Sequence, residues 1–152
     1  MTNPYSDVAN GKLGLFCQKV FDLLEANKVP LGLADVFYGD QQQIPRTPAA
    51  CVEPDGKRRI LQGVPRRTEN TFGLYVLLYI SEISQSVQDN ARESIEFAER
   101  VEDLLHADPT LDGLLIHSFC VEVEPGYRMR KDTRFRACRI KFEGINKTVL
   151  GM

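Results

Sequence analysis

The segment 71–82 constrains this chain more than any other. In an extended strand Phe72, Leu74, Val76, Leu78 and Ile80 fall on one side and Tyr75, Leu77 and Tyr79 on the other, so both faces are apolar. A sheet with one wet face alternates apolar with polar residues, so this strand has to be covered on both sides. Another subunit is one expected source of the second cover.

The flanking segments read as helices and shorter strands. Leu13, Phe16, Cys17, Val20, Phe21 and Leu24 recur at the spacing of one helical face, which predicts a helix over 7–26 that Pro30 and Gly32 stop. Residues 34–38 read as a short strand closed by Gly39-Asp40 and 49–53 as another, and Pro54-Asp55-Gly56 is a turn signal at which the chain is expected to reverse. The basic segment 57–67 reads as an extended loop or arm. Beyond the long strand, Ser86-Val87-Gln88-Asp89 has capping-box form ahead of a helix reaching about His106. Ala91, Ile95, Ala98, Val101 and Leu105 are its expected buried stripe, and Arg92, Glu96 and Arg100 are spaced for ion pairs on its wet face.

Two further strands are predicted. In 114–124, Leu115, Phe119, Val121 and Val123 share a face; in 134–143, Cys138, Ile140 and Phe142 alternate with Arg139, Lys141 and Glu143. A basic loop, 126–133, joins them, and the phase of Phe135 and Ala137 predicts a bulge near Ala137. Residues 1–6 and 144–152 read as loose ends. This order predicts one α+β domain over 1–152, with a mainly antiparallel sheet of four to five strands, two helices packed on one face, and extended loops.

A chain of 152 residues can bury one core, and a formal net charge of -2 gives it no global attraction for nucleic acid or anionic membrane. No apolar run approaches the roughly 20 residues of a membrane-spanning helix, and the N-terminus lacks the pattern of a secretory signal, so the expected site of synthesis and residence is the cytoplasm. Cys17, Cys51, Cys120 and Cys138 form no C-x-x-C pair and are expected as buried, reduced thiols.

No pattern points to chemistry. His106 and His117 have no second ligand at metal spacing, and His117, on the apolar phase beside Phe119, reads as a core or interface histidine. The glycines form no phosphate-binding loop. No serine lies in a nucleophile elbow, and Cys120 is out of phase with His117. Glu122 and Glu124 share a strand face, which an exposed sheet edge explains. The expectation is a protein without catalytic residues, cofactor or metal. What remains are two basic clusters, Lys57, Arg58, Arg59, Arg66 and Arg67, and Arg128, Arg130, Lys131, Arg134 and Arg136, which hold about half of the chain's positive charge. They are either solvated loops or contacts to acidic protein surfaces or phosphates. With Tyr75, Leu77 and Tyr79 they are the candidate subunit or partner contacts.

The order and spacing of these elements resemble the tail terminator (tail completion) proteins of long-tailed bacteriophages. The resemblance runs from the first helix through residues 31–40, the proline-flanked strand 47–52, the strand 72–80 and Leu104-Leu105 to Thr110-Leu111-Asp112-Gly113. That last run is similar to the Thr-Leu-Gly-Gly turn of the family, with Asp112 in place of the first glycine. Membership would imply a homo-oligomer, a hexameric ring on the last layer of the tail tube. The ring would stop tube polymerisation and offer a surface to the head connector and neck proteins, with a sheath as a further partner. It would belong to the virion and be assembled in the host cytoplasm, and DNA would pass through its lumen unread. Two other readings stay open: a head-completion or connector-adaptor protein of the neck, and a small nucleic-acid-binding module with the arginines on phosphates.

Overall fold

A computed structural model describes residues 13–61, 67–83 and 87–149. Helix α1 spans Leu13–Ala26, a short turn of helix α2 Lys28–Leu31, strand β1 Asp35–Tyr38, β2 Ala49–Leu61, β3 Arg67–Glu82, helix α3 Val87–His106, β4 His117–Arg130 and β5 Thr133–Val149. The five strands form one sheet in the order β1-β2-β3-β5-β4, antiparallel except for the β1–β2 pair. The α+β class, the mainly antiparallel sheet and the two long helices on one face match the expectation.

The helical face carries the main core. Phe16, Cys17, Val20 and Leu24 of α1 and Phe97, Ala98, Val101 and Leu105 of α3 pack on Val52, Leu74, Val76, Leu78, Ile140 and Phe142 of the sheet. Phe16 stacks between Phe72 and Phe142, with ring centroids 5.6 and 5.7 Å away. Gly144 makes room for this. A Cβ there would lie 2.5 Å from Leu115 Cδ1 and 3.0 Å from Phe16 Cε1, so no larger residue fits beneath the ring without displacing the core.

Several boundaries differ from those predicted. Pro54-Asp55-Gly56 is not a reversal: β2 continues through it to Leu61, with a register shift between Pro54 and Gly56. Asp55 is the extra residue and rests against Gly73, whose missing side chain accommodates it. Segment 57–61 therefore forms the outer half of a strand, paired with Phe72 to Thr68, and the segment 144–149 is the end of β5 rather than a loose end, paired with Phe72 to Arg67. Together they make a three-stranded arm beyond Phe72. The expected loop 126–133 is mostly strand, because β4 and β5 pair up to Arg130 and Thr133 around a tight turn with Lys131 at φ 55°. The bulge predicted near Ala137 lies opposite it, on β3, where Ile80 is the extra residue between Tyr79 and Ser81.

Side-chain phases shift for related reasons. A bulge at Val121 breaks the alternation of β4, so Val123 joins Cys120 opposite Ile140 and Phe142 of the core face, while Phe119 lies opposite Glu143 on the other. On α3 the buried stripe is Ser94, Phe97, Ala98, Val101 and Leu105, and Ile95, one position off, is 49% exposed. His117 is exposed and stacks on Phe119 at 5.8 Å instead of entering the core. The capping box at Ser86 and the residues 1–12 and 150–152 lie outside the described residues.

Candidate assembly surfaces

Both faces of β3 are covered, as its composition requires, and the second cover over Leu77 and Tyr79 comes from the chain itself. β1 and β2 are parallel, so the chain must cross over between them, and the crossover 39–48 runs across the second face. Ile44 from that crossover packs with Ala49, Cys51, Leu77, Tyr79 and Phe135, with Phe37 and Tyr75 at the margin. Leu77 is 4% and Tyr79 0% exposed. These two residues, expected at a subunit contact, are therefore withdrawn from the surface by a loop whose destination no local pattern announces. Tyr75 stays half-buried under the Arg139 guanidinium, 4.8 Å from its ring centre.

Asp40 ties this cover down. Its carboxylate accepts the Tyr79 hydroxyl at 2.7 Å and Arg128 at 3.1 Å, and it also accepts Arg130. Its own backbone N–H donates to Glu53 Oε2 at 2.7 Å. Arg128 Nε reaches the Tyr79 oxygen at 3.2 Å, and the Arg130 guanidinium lies 5.6 Å over the Tyr79 ring. Burial is the largest single influence on Asp40 and pushes its pKa up. The hydrogen bonds from Tyr79 and Arg130, with the charges of Arg130 and Arg128, outweigh it, so the carboxyl is held below its ordinary range. Burial first, and then the bond to Asp40, pushes the Tyr79 hydroxyl up to about 12. The arrangement is a charge-assisted lock. Asp40, read from the sequence only as the end of a short strand, is its hub.

The remaining candidate residues divide between the arm and the hairpin. Lys57 and Arg58 are exposed on the outer half of β2; Arg59 and Arg67 have backbone positions in β2 and β3, and Arg66 lies outside the described residues. Lys131 is exposed in the β4–β5 turn. Arg134 and Arg136 both lie over Tyr127, at 4.4 and 4.5 Å from its ring centre. The structure thus gives the second basic cluster two roles: Arg128 and Arg130 lock the fold, while Arg134 and Arg136 take no part in that lock.

A further surface was read from the sequence only as an exposed edge at Glu122 and Glu124, without its row of exposed apolar side chains. β4 is a sheet edge of 14 residues, and Phe119, Val121, Val123, Tyr127 and Met129 are all exposed along it, Met129 by 59%. Glu124 on the same strand pairs with Arg139 at 2.5 Å, which accounts for one of the two edge glutamates. Burial pushes all four thiols up, Cys17 and Cys138 to about 11 and Cys51 and Cys120 to about 12, away from the thiolate that nucleophilic chemistry needs. Among the described residues no group of three or more His, Cys, Asp and Glu could hold a metal ion, and no helix is long and apolar enough to cross a membrane. No protein-family model matches the chain, and no curated protein matches its sequence.

Proposed function

We propose that this chain is a structural virion subunit that closes into a ring at the end of a phage tail tube, ends tube polymerisation and joins the tail to the head connector. The observation that carries the reading is the β4 edge. A long sheet edge with unpaired backbone groups and a row of exposed apolar side chains is a liability in a monomer and is ordinarily covered. A ring covers it by apposing two different surfaces of successive subunits.

Two features add support. Leu111, Asp112 and Gly113 all have left-handed backbone, with φ of 45, 59 and 84°. The Asp108 carboxylate holds this turn, accepting from the Thr110 hydroxyl at 2.9 Å and from the Asp112 N–H at 2.7 Å. Asp112 therefore adopts the conformation that glycine takes freely, so its departure from the Thr-Leu-Gly-Gly pattern preserves the turn. The three-stranded basic arm also gives each subunit a reach beyond its own core, suited to the tube, to a sheath or to a neighbour. On this reading the protein has no catalytic role, and DNA crosses the lumen without being read. The engagement of Arg128 and Arg130 by Asp40 leaves a nucleic-acid-binding module less support, since two of its phosphate contacts are already occupied.

Electron microscopy of particles assembled without the protein tests the reading. Tails of uncontrolled length are expected. Tails of normal length detached from heads would point instead to a connector-adaptor of the neck, and normal particles would contradict both.

A further inference from the structure

Arg136 is 9% exposed, and its Nε is buried without an acceptor. Its register partner on β3, Ser81, has a buried hydroxyl oxygen that is also unpartnered. Its partner on β4 is Tyr127, the ring that Arg134 and Arg136 both stack on, so Ser81, Arg136 and Tyr127 form one row across three strands. Among the described residues neither Arg134 nor Arg136 has a carboxylate partner. A buried cation with an unmet donor is costly unless an acceptor arrives, and two guanidinium groups side by side call for an anion.

The fold uses carboxylates as the partners of three other sheet arginines. Arg128 and Arg130 pair with Asp40, and Arg139 pairs with Glu124. Unpaired carboxylates of the right kind are present on α3, where Glu93, Glu96, Glu99 and Asp103 are exposed and, among the described residues, make no ion pair. We propose that Arg134 and Arg136, stacked on Tyr127, form a binding site for a carboxylate on α3 of a second copy of this chain. The guanidinium groups supply bidentate donors and Tyr127 holds their planes. The arginine site and the α3 carboxylates are different groups, so the contact is compatible with a head-to-tail arrangement that closes into a ring. This inference rests on the self-assembly proposed above and names one of its contacts.

Sedimentation velocity on the full chain tests it with two variants, R134E/R136M and E96R/E99R, each checked for folding by circular dichroism. Methionine keeps the apolar stem of residue 136 over Tyr127. If R136M does not fold, R134E alone, at an exposed position, carries the same expectation. Each variant alone should self-associate about 30-fold or more weakly than wild type. An equimolar mixture should form dimers and nothing larger, because only one intact arginine site meets one intact set of α3 carboxylates. Assembly of R134E/R136M like wild type overturns this contact and leaves the ring standing, whereas a wild type that stays monomeric at every concentration overturns both. Salt-sensitive binding of wild type to a duplex DNA oligonucleotide, lost in R134E/R136M with self-association unchanged, also overturns it and assigns the site to phosphate.

Discussion

Phe16→Ala should lower the unfolding free energy by about 3–5 kcal/mol, with a drop in melting temperature of about 2–4 °C for each kcal/mol. Phe16 is fully buried and is the α1 residue that stacks on rings from both β3 and β5. Its loss removes two ring contacts and opens a void over Gly144 that backbone cannot collapse into. Val29→Ala, at a position 85% exposed, is the control and should change stability by less than about 0.5 kcal/mol. Urea denaturation of the two variants measures the difference. Equal effects would mean that α1 is not seated on the sheet as described.

Asp40→Asn should cost about 2–3 kcal/mol at neutral pH. The amide keeps the size of the side chain but leaves Arg128 and Arg130 without a counter-charge. The estimate stays below that for a fully buried pair because the Arg128 side chain is 32% exposed. The effect also has a pH signature. The folded-state pKa of Asp40 is depressed, so its contribution is present above the ordinary carboxylate pKa of about 3.9 and is lost as pH falls through the depressed value. Wild type and Asp40→Asn should therefore differ most at neutral pH and converge in acid, which urea midpoints at several pH values would read. A constant difference across pH would remove Asp40 from the role of charge hub.

How much of this was legible depended on whether a residue's role was set by its neighbours in sequence. The α1 stripe Phe16, Cys17, Val20 and Leu24, the Cys138, Ile140 and Phe142 alternation, and the need to cover both faces of β3 followed from periodicity alone, and the structure buries each of them. What failed depended on pairing. Pro54-Asp55-Gly56 carries turn chemistry, yet Gly73 across the ladder turns it into a bulge; residues 144–149 look featureless until β3 offers them a partner. Val121 displaces Val123 from the phase of Phe119 by adding a single residue to the strand.

The candidate surface divides in the same way. The basic clusters were visible as composition, but their roles were not. The distinction between Arg130, bound to Asp40, and Arg136, left without an acceptor, depends on the crossover 39–48 settling over one face of the sheet. That crossover also withdraws Leu77 and Tyr79 from the surface, whereas Phe119, Val121, Val123, Tyr127 and Met129 stay exposed along the β4 edge. On the proposed reading, assembly uses the β4 edge rather than β3, the strand whose composition first called for a partner.

The central claim is that this chain works as a closed oligomer, and light-scattering mass of the purified full chain across a range of concentrations tests it most directly. A single species at a fixed multiple of the subunit mass, six for the ring that the family resemblance implies, is the predicted result. A monomer that persists to high concentration would contradict it.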